Sequence, residues 1–205
     1  MNGIFSLEGS LMKALDKIFN LLVLSCMWLL FSLPIVTIGA STTALYDAVY
    51  RYVRKEEGYM WNTWWKSFKG NFKRSTMVWI PFLFFLLFLL MDLSILKQIR
   101  EQDLPLSGLY WVILALLAVA LDWGVFLAAY AARFNGIARD IFRCSFLLMT
   151  VHSILSLEIL GLLVAGFILF LAFPAFIVFI PATVFWLGSY ITEKIFQQHL
   201  RKDQK

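Results

Sequence analysis

Charge is what this sequence has least of: Asp, Glu, Lys and Arg make up 15% of its 205 residues, against roughly 25% in an ordinary soluble domain. Apolar residues make up 61% and aromatics 17%. A water-soluble fold of this size has no interior large enough to hide them, so most of the chain must lie in lipid. Cysteine is scarce too. Cys26 sits in an apolar run and Cys144 in a basic stretch, a count and placement that give neither a disulfide framework nor a metal cluster, and both read as packing residues. The two histidines, His152 and His199, form no ligand set with Cys or carboxylates at metal-site spacing, and His152 and Glu158 share a helical face poorly. No serine lies in a nucleophile elbow and no glycine-rich phosphate loop occurs, which argues against a hydrolase or a nucleotide-driven pump. The length leaves no room for a separate catalytic domain. The expectation is a non-enzymatic protein without cofactors; an intramembrane enzyme would require polar groups converging at one depth.

What is present is a series of long apolar runs. A spanning helix needs about 20 mainly apolar residues to cover ~30 Å of hydrocarbon. The runs Ile18–Gly39, Thr76–Leu96 and Leu109–Ala132 qualify, and so does Phe146–Ile191. The last is 46 residues, too long for one crossing, and Pro174 near its middle divides it into a hairpin around Phe173–Ala175. An all-α bundle of about five spans follows, near 18–39, 76–96, 109–132, 150–172 and 175–192, in a single integral membrane domain over 1–205. The first run lacks the cleavage pattern of a signal peptide and reads as a retained span. Lys13 and Lys17 before it, and Pro34 within it, leave open a second path in which the chain enters and turns back at Pro34–Gly39.

Orientation follows from the basic residues. Arg51, Arg54, Lys55, Lys66, Lys69, Lys73 and Arg74 lie between spans one and two, Arg133, Arg139 and Arg143 between spans three and four, and Lys194, Arg201, Lys202 and Lys205 after span five. Five crossings put these fourteen on one side and Lys13, Lys17, Lys97 and Arg100 on the other. The positive-inside rule then places the carboxyl terminus in the cytosol of a bacterial plasma membrane, with the amino terminus outside if span one crosses fully. The net charge of +5 reflects this topology and contact with anionic lipid, not nucleic acid.

The inward segment 41–75 is the most patterned. Ser41 or Thr42 is placed to cap a helix striped by Ala44, Leu45, Ala48, Val49 and Tyr52, with Asp47 and Arg51 paired at i, i+4 and Gly58 as its end. Trp61, Trp64, Trp65, Phe68 and Phe72 then gather on one helical face, flanked by Lys66, Lys69 and Lys73. That pattern suits a helix lying in the headgroup plane before it enters span two, either as a depth anchor or as a docking surface for a partner protein or anionic lipid. Phe72-Lys73-Arg74-Ser75 is echoed by Phe142-Arg143-Cys144-Ser145, each approaching a hairpin of spans, as in a short repeat or by chance.

An ionisable group inside a span costs about 2.5–3.5 kcal/mol on the insertion scale, which makes it a functional hypothesis by default. Asp122, fourteenth of the 24 residues of span three, is the sharpest case. It either serves a polar pathway or is satisfied by Ser, Thr or Tyr groups of neighbouring spans. Asp92 lies near a span end, where water reaches it.

The run Leu33-Pro34-Ile35-Val36-Thr37-Ile38-Gly39-Ala40-Ser41-Thr42-Thr43-Ala44-Leu45-Tyr46 resembles the amino-terminal signature of the YesL-like family of small bacterial polytopic membrane proteins, a domain of unknown function. Glu56-Glu57-Gly58-Tyr59, Lys66-Ser67-Phe68-Lys69-Gly70-Asn71-Phe72-Lys73 and Ala132-Arg133-Phe134-Asn135 extend the resemblance over nearly the whole chain. It implies no catalytic residues, but it does imply a setting beside carbohydrate ABC importers and hence permease subunits as partners. In physical terms Pro34, Thr37, Gly39, Ser41 and Thr42 form a shaped turn, in which Gly39 permits unusual dihedrals and the hydroxyls satisfy freed backbone groups. Two functional expectations result: an accessory protein of carbohydrate uptake that docks through its basic-aromatic helices, or an autonomous small transporter or channel using Asp122.

Overall fold

A computed structural model describes residues 2–55, 59–101 and 108–202, with side chains placed from Met12 to Gln197 apart from Lys13. Glu56, Glu57, Gly58, His199 and the basic residues of the extreme tail lie outside the described side chains. The expected all-α fold is what forms: α1 (Asn2–Ser32), α2 (Ile38–Ala48), α3 (Met60–Glu101), α4 (Leu109–Arg133), α5 (Ala138–Val151), α6 (Ser153–Ala172) and α7 (Ile180–Lys202), with no strand among the described residues. Four helices are long and apolar enough to cross a membrane: Ala14–Ser32 of α1, α3, α4 and α6. Most of the span-facing rows of α3 and α6 stay exposed, including Phe84, Phe88, Met91, Leu157, Phe167 and Leu171. Such a surface, together with the length of these helices, suits lipid tails and not water.

Three expectations need correction. The first span does not run to Gly39: α1 stops at Ser32, and a short 3-10 turn over Ile35–Thr37 follows. Pro34 has no N–H to donate to the ladder, and the carbonyls left open at the end of α1 are met by Thr37, whose hydroxyl lies 2.6 Å from the Phe31 carbonyl and 2.7 Å from that of Pro34. The fifth span, expected over 175–192, is split between a 3-10 segment, Pro174–Val178, and the opening turns of α7. Pro181 has no N–H to give there, and the next one, Ala182, is capped from another helix by the Ser25 hydroxyl at 3.0 Å. Finally, the aromatic segment does not form a helix of its own. The aromatic segment is the first third of α3, one unbroken helix of 42 residues that continues into the span.

The core of the charged end is α2. It starts at Ile38, not at a Ser41 or Thr42 cap, and from Gly39 to Ala48 every residue is buried. It packs most extensively along α3 and also against α1, α4 and α7. Hydroxyls make this possible in a helix without charge on most of its length. Ser41 donates to the Trp28 carbonyl at 3.2 Å, Thr42 accepts from the Trp28 indole at 3.0 Å and donates to Ile38, and Thr43 bonds Gly39 and the Ser75 hydroxyl at 3.1 Å. A buried hydroxyl without such a partner costs about 1–3 kcal/mol. After Ala48 the helix widens into a π segment, Val49–Arg54.

Gly39 serves this packing in a way its dihedrals do not explain. A Cβ there would lie 2.4 Å from Cγ and 2.5 Å from Cβ of Trp79, so glycine is what lets α2 lie flat on α3. Gly39→Ala should therefore lower stability by about 1–3 kcal/mol, the usual cost of overpacking. Gly70, whose Cβ would meet nothing within 4 Å, is the matched control: Gly70→Ala should be neutral or stabilising. Thermal unfolding of the two variants in detergent checks both signs.

Candidate functional site

Beyond α2 the helix ends diverge and enclose an open polar cavity of about 510 Å³. The amino-terminal third of α3 supplies one wall: Asn62, Thr63, Lys66, Ser67, Asn71 and Arg74, with Tyr59 just before it. Asp47 and Arg51 come from α2 and its π extension, and Ala132, Arg133 and Asn135 from the end of α4 and the turn after it. Single π turns inside helices occur often at functional sites, because they re-aim side chains; here that segment carries Arg51 into the wall.

Two of the cations in this wall are neutralised. Arg51 Nε meets Asp47 Oδ1 at 2.7 Å, the i, i+4 pair expected from sequence. Arg133 Nε lies 2.8 Å from Glu193 Oε1 of α7 and its guanidinium 4.2 Å from the Tyr50 ring centroid. Glu193 is 2% exposed and is held on its other side by the Tyr46 hydroxyl, which donates to Oε1 at 3.2 Å and bonds Thr192 at 2.7 Å. Arg54 adds a further tie to α7, donating to the Ser189 carbonyl at 2.6 Å with its guanidinium 4.3 Å from the Tyr190 ring. Arg74 is held differently: it donates to Asn71 Oδ1 at 2.5 Å, the Ala131 carbonyl at 2.7 Å and Asn135 Oδ1 at 2.9 Å. All three acceptors are neutral.

The aromatic face of α3 turns out to be divided. Trp64 is fully buried and Phe68 nearly so, closed by Phe31 of α1 at ring distances of 4.8 and 5.5 Å and stacked on each other at 5.0 Å. These two are core residues, because the end of α1 covers that face, and neither presents its ring to a partner or to lipid. Trp65 is half-buried, with Lys69 4.9 Å from its ring. Trp61 and Phe72 remain exposed, as do Lys66, Lys69 and Lys73. Lys66 alone of the predicted contact residues reaches the cavity. Within the motif turn, Pro34 is exposed while Gly39, Ser41 and Thr42 are buried in the bundle.

Asp122 is 2% exposed and accepts a hydrogen bond from Ser156 of α6. Its neighbour Trp123 donates to the Ser145 hydroxyl at 3.1 Å. The expectation that neighbouring hydroxyls satisfy Asp122 thus describes one of its oxygens; Oδ1 has no partner among the described residues. No group of three His, Cys, Asp or Glu able to hold a metal occurs among the described residues.

The cavity itself escaped the sequence reading, although a signal for it exists. Tyr59, Thr63, Ser67, Asn71 and Arg74 recur at intervals of four, four, four and three, a polar stripe on another side of the helix from the aromatic one. Four helices with lipid-facing apolar rows and a closed polar network at one end define a multi-pass helical membrane protein. Residues 21–93 match the model of a family described as a protein of unknown function, DUF624. This is the YesL-like family that the Leu33–Tyr46 signature resembles, so that recognition is borne out. No curated protein and no solved structure matches the chain.

The two ion pairs differ in depth, and so should their contributions. Removing Arg133 strands a buried carboxylate, and Arg133→Gln should cost about 3 kcal/mol, the low end for a broken buried pair because the Arg133 side chain is itself partly exposed. Arg51 is half exposed, and Arg51→Gln should cost about 0.3–0.5 kcal/mol. Equal losses in a detergent unfolding assay would contradict this ranking.

Proposed function

We propose that this protein acts by binding, as a non-enzymatic accessory subunit in a bacterial plasma membrane, with the charged end of its bundle in the cytosol. One observation carries the reading. The cavity lies among the charged residues and is lined almost wholly by polar side chains, while Trp79, Phe82, Trp123, Phe126 and Phe185, none of which lines it, are buried in the bundle. A receptor for something arriving from one side fits that shape better than a conduit does. Residues from three of the four stretches behind the family resemblance, Tyr59, Lys66, Ser67, Asn71, Arg133 and Asn135, also line it. The fourth stretch forms α2, which leads to it through Asp47.

The partner that the resemblance points to is the permease of a carbohydrate ABC importer, and the exposed Trp61, Phe72, Lys69 and Lys73 of α3, on another side of that helix from the cavity stripe, are the docking residues of this reading. Orientation rests on the positive-inside asymmetry. Affinity purification of the tagged chain in mild detergent should recover permease subunits at stoichiometric levels, with recovery reduced by a Trp61→Ala, Lys69→Ala pair. Purification of the chain alone would count against the accessory role.

A transport role through Asp122 is less well supported, since one oxygen of that carboxylate ties α4 to α6 through Ser156 and none of the cavity-lining residues is Asp122. Asp122→Asn keeps an acceptor for Ser156, so partner recovery and folding should both survive it. A reconstituted solute flux abolished by Asp122→Asn would reverse this preference.

A further inference from the structure

We infer that the cavity is a phosphate site, built to receive a phosphomonoester group through Arg74 and Lys66. This deepens the binding role proposed above, since it rests on the cavity being a receptor, but it does not depend on who the protein partner is.

The argument starts from charge. The cavity wall contains four cations and one carboxylate. Asp47 is matched by Arg51, and Arg133 by Glu193 behind the wall. Arg74 and Lys66 have no acidic partner among the described residues. Two positive charges thus face a space of about 510 Å³, within the range of roughly 300–1,000 Å³ typical of small-ligand sites. A phosphomonoester carries about −1.5 to −2 at pH 7 and offers three acceptor oxygens, which matches two cations better than a single carboxylate does.

Arg74 is positioned for this work. Its fork is fixed by Asn71, Asn135 and the Ala131 carbonyl, neutral acceptors that orient a guanidinium without cancelling its charge. Those bonds use both N–H groups of Nη2 and one of Nη1, leaving one Nη1–H and the Nε–H, which has no partner among the described residues, and a guanidinium held in advance loses little entropy when it meets an anion. Lys66, exposed on the same helix two turns earlier, adds a flexible point charge, and Asn62, Thr63 and Tyr59 offer neutral donors to the rest of a ligand. Arg74 also stands just before Thr76, where the apolar run of α3 begins, and Arg133 just after Ala132, where that of α4 ends. The site therefore lies at the depth of lipid headgroups, and a phosphate there can come from phosphatidic acid in the leaflet or from a soluble ester.

The test uses the full chain in phosphatidylcholine nanodiscs at fixed ionic strength, with radiolabelled inorganic phosphate as the soluble probe and phosphatidic acid, doped into the disc and read by native mass spectrometry, as the lipid probe. Saturable binding of one phosphate per chain, or retention of one phosphatidic acid, is expected. Either should weaken at least tenfold in Lys66→Gln, whose exposed side chain the fold does not need, and in Arg74→Gln. Phosphate alone identifies a soluble ligand, and phosphatidic acid alone a lipid one. Binding of neither probe, or binding that both variants leave unchanged, overturns the inference. A chain that binds phosphate yet recovers no permease would sink only the partner reading.

Discussion

The structure depends on one constraint: a short helix rich in hydroxyls is enclosed on several sides by longer ones, and every polar group it carries must find a partner there. Helix α2 meets that constraint through Trp28, Ser75 and its own backbone carbonyls, and through Thr192 and Glu193 for the Tyr46 phenol. Because the donors and acceptors lie on α1, α3 and α7, satisfying α2 fixes the relative positions of those helices. Apolar packing alone would do this less sharply, since tails of lipid are as good a neighbour as leucine and association in a bilayer leans on close contact and polar bonds. Gly39 against Trp79 supplies the close contact and the hydroxyls supply the bonds.

From that fixed end the rest of the charged side follows. Once α2 is in place, its π extension brings Arg51 to the cavity wall and keeps Tyr50 buried, and Arg133 of α4 is caught between the Tyr50 ring and Glu193. The ends of α3 and α4 are then drawn together by Arg74, which reaches both Asn71 on its own helix and Ala131 and Asn135 across from it. The cavity is the space these ties leave open. Its chemistry comes from the same residues that build it, so binding at the cavity and the packing of the charged end are linked.

Much of the fold was legible in the sequence, because lipid imposes a strong and simple rule: long apolar runs become helices, and their ends carry charge. The spans of α3, α4 and α6 and the hairpin at Phe173–Ala175 came out near their expected places. What failed was local and tertiary. Ile35–Gly39 looked apolar enough to extend span one, yet Pro34 broke the helix, leaving Ile35 and Val36 exposed in a 3-10 turn and Gly39 buried against Trp79. Trp64 and Phe68 were periodic with Trp61, Trp65 and Phe72, but nothing in that period says that Phe31, some thirty residues earlier, packs on the face where two of the five are buried. The echo between residues 72–75 and 142–145 gains some substance: Ser75 and Ser145 are both buried and both bonded to another hydroxyl or indole. The cavity was hard to see in advance because it combines one helical stripe with residues 70 positions away.

Hydrogen–deuterium exchange on the chain in lipid nanodiscs tests the central claim most directly. Enclosure of α2 with all its polar groups bonded predicts that the amides of residues 42–48 exchange as slowly as those in the middle of α3 and α4, although α2 is short and rich in Ser and Thr. Exchange of that stretch on the timescale of the turn at 134–137 would show that the helix is an exposed connection and that the bundle is organised some other way.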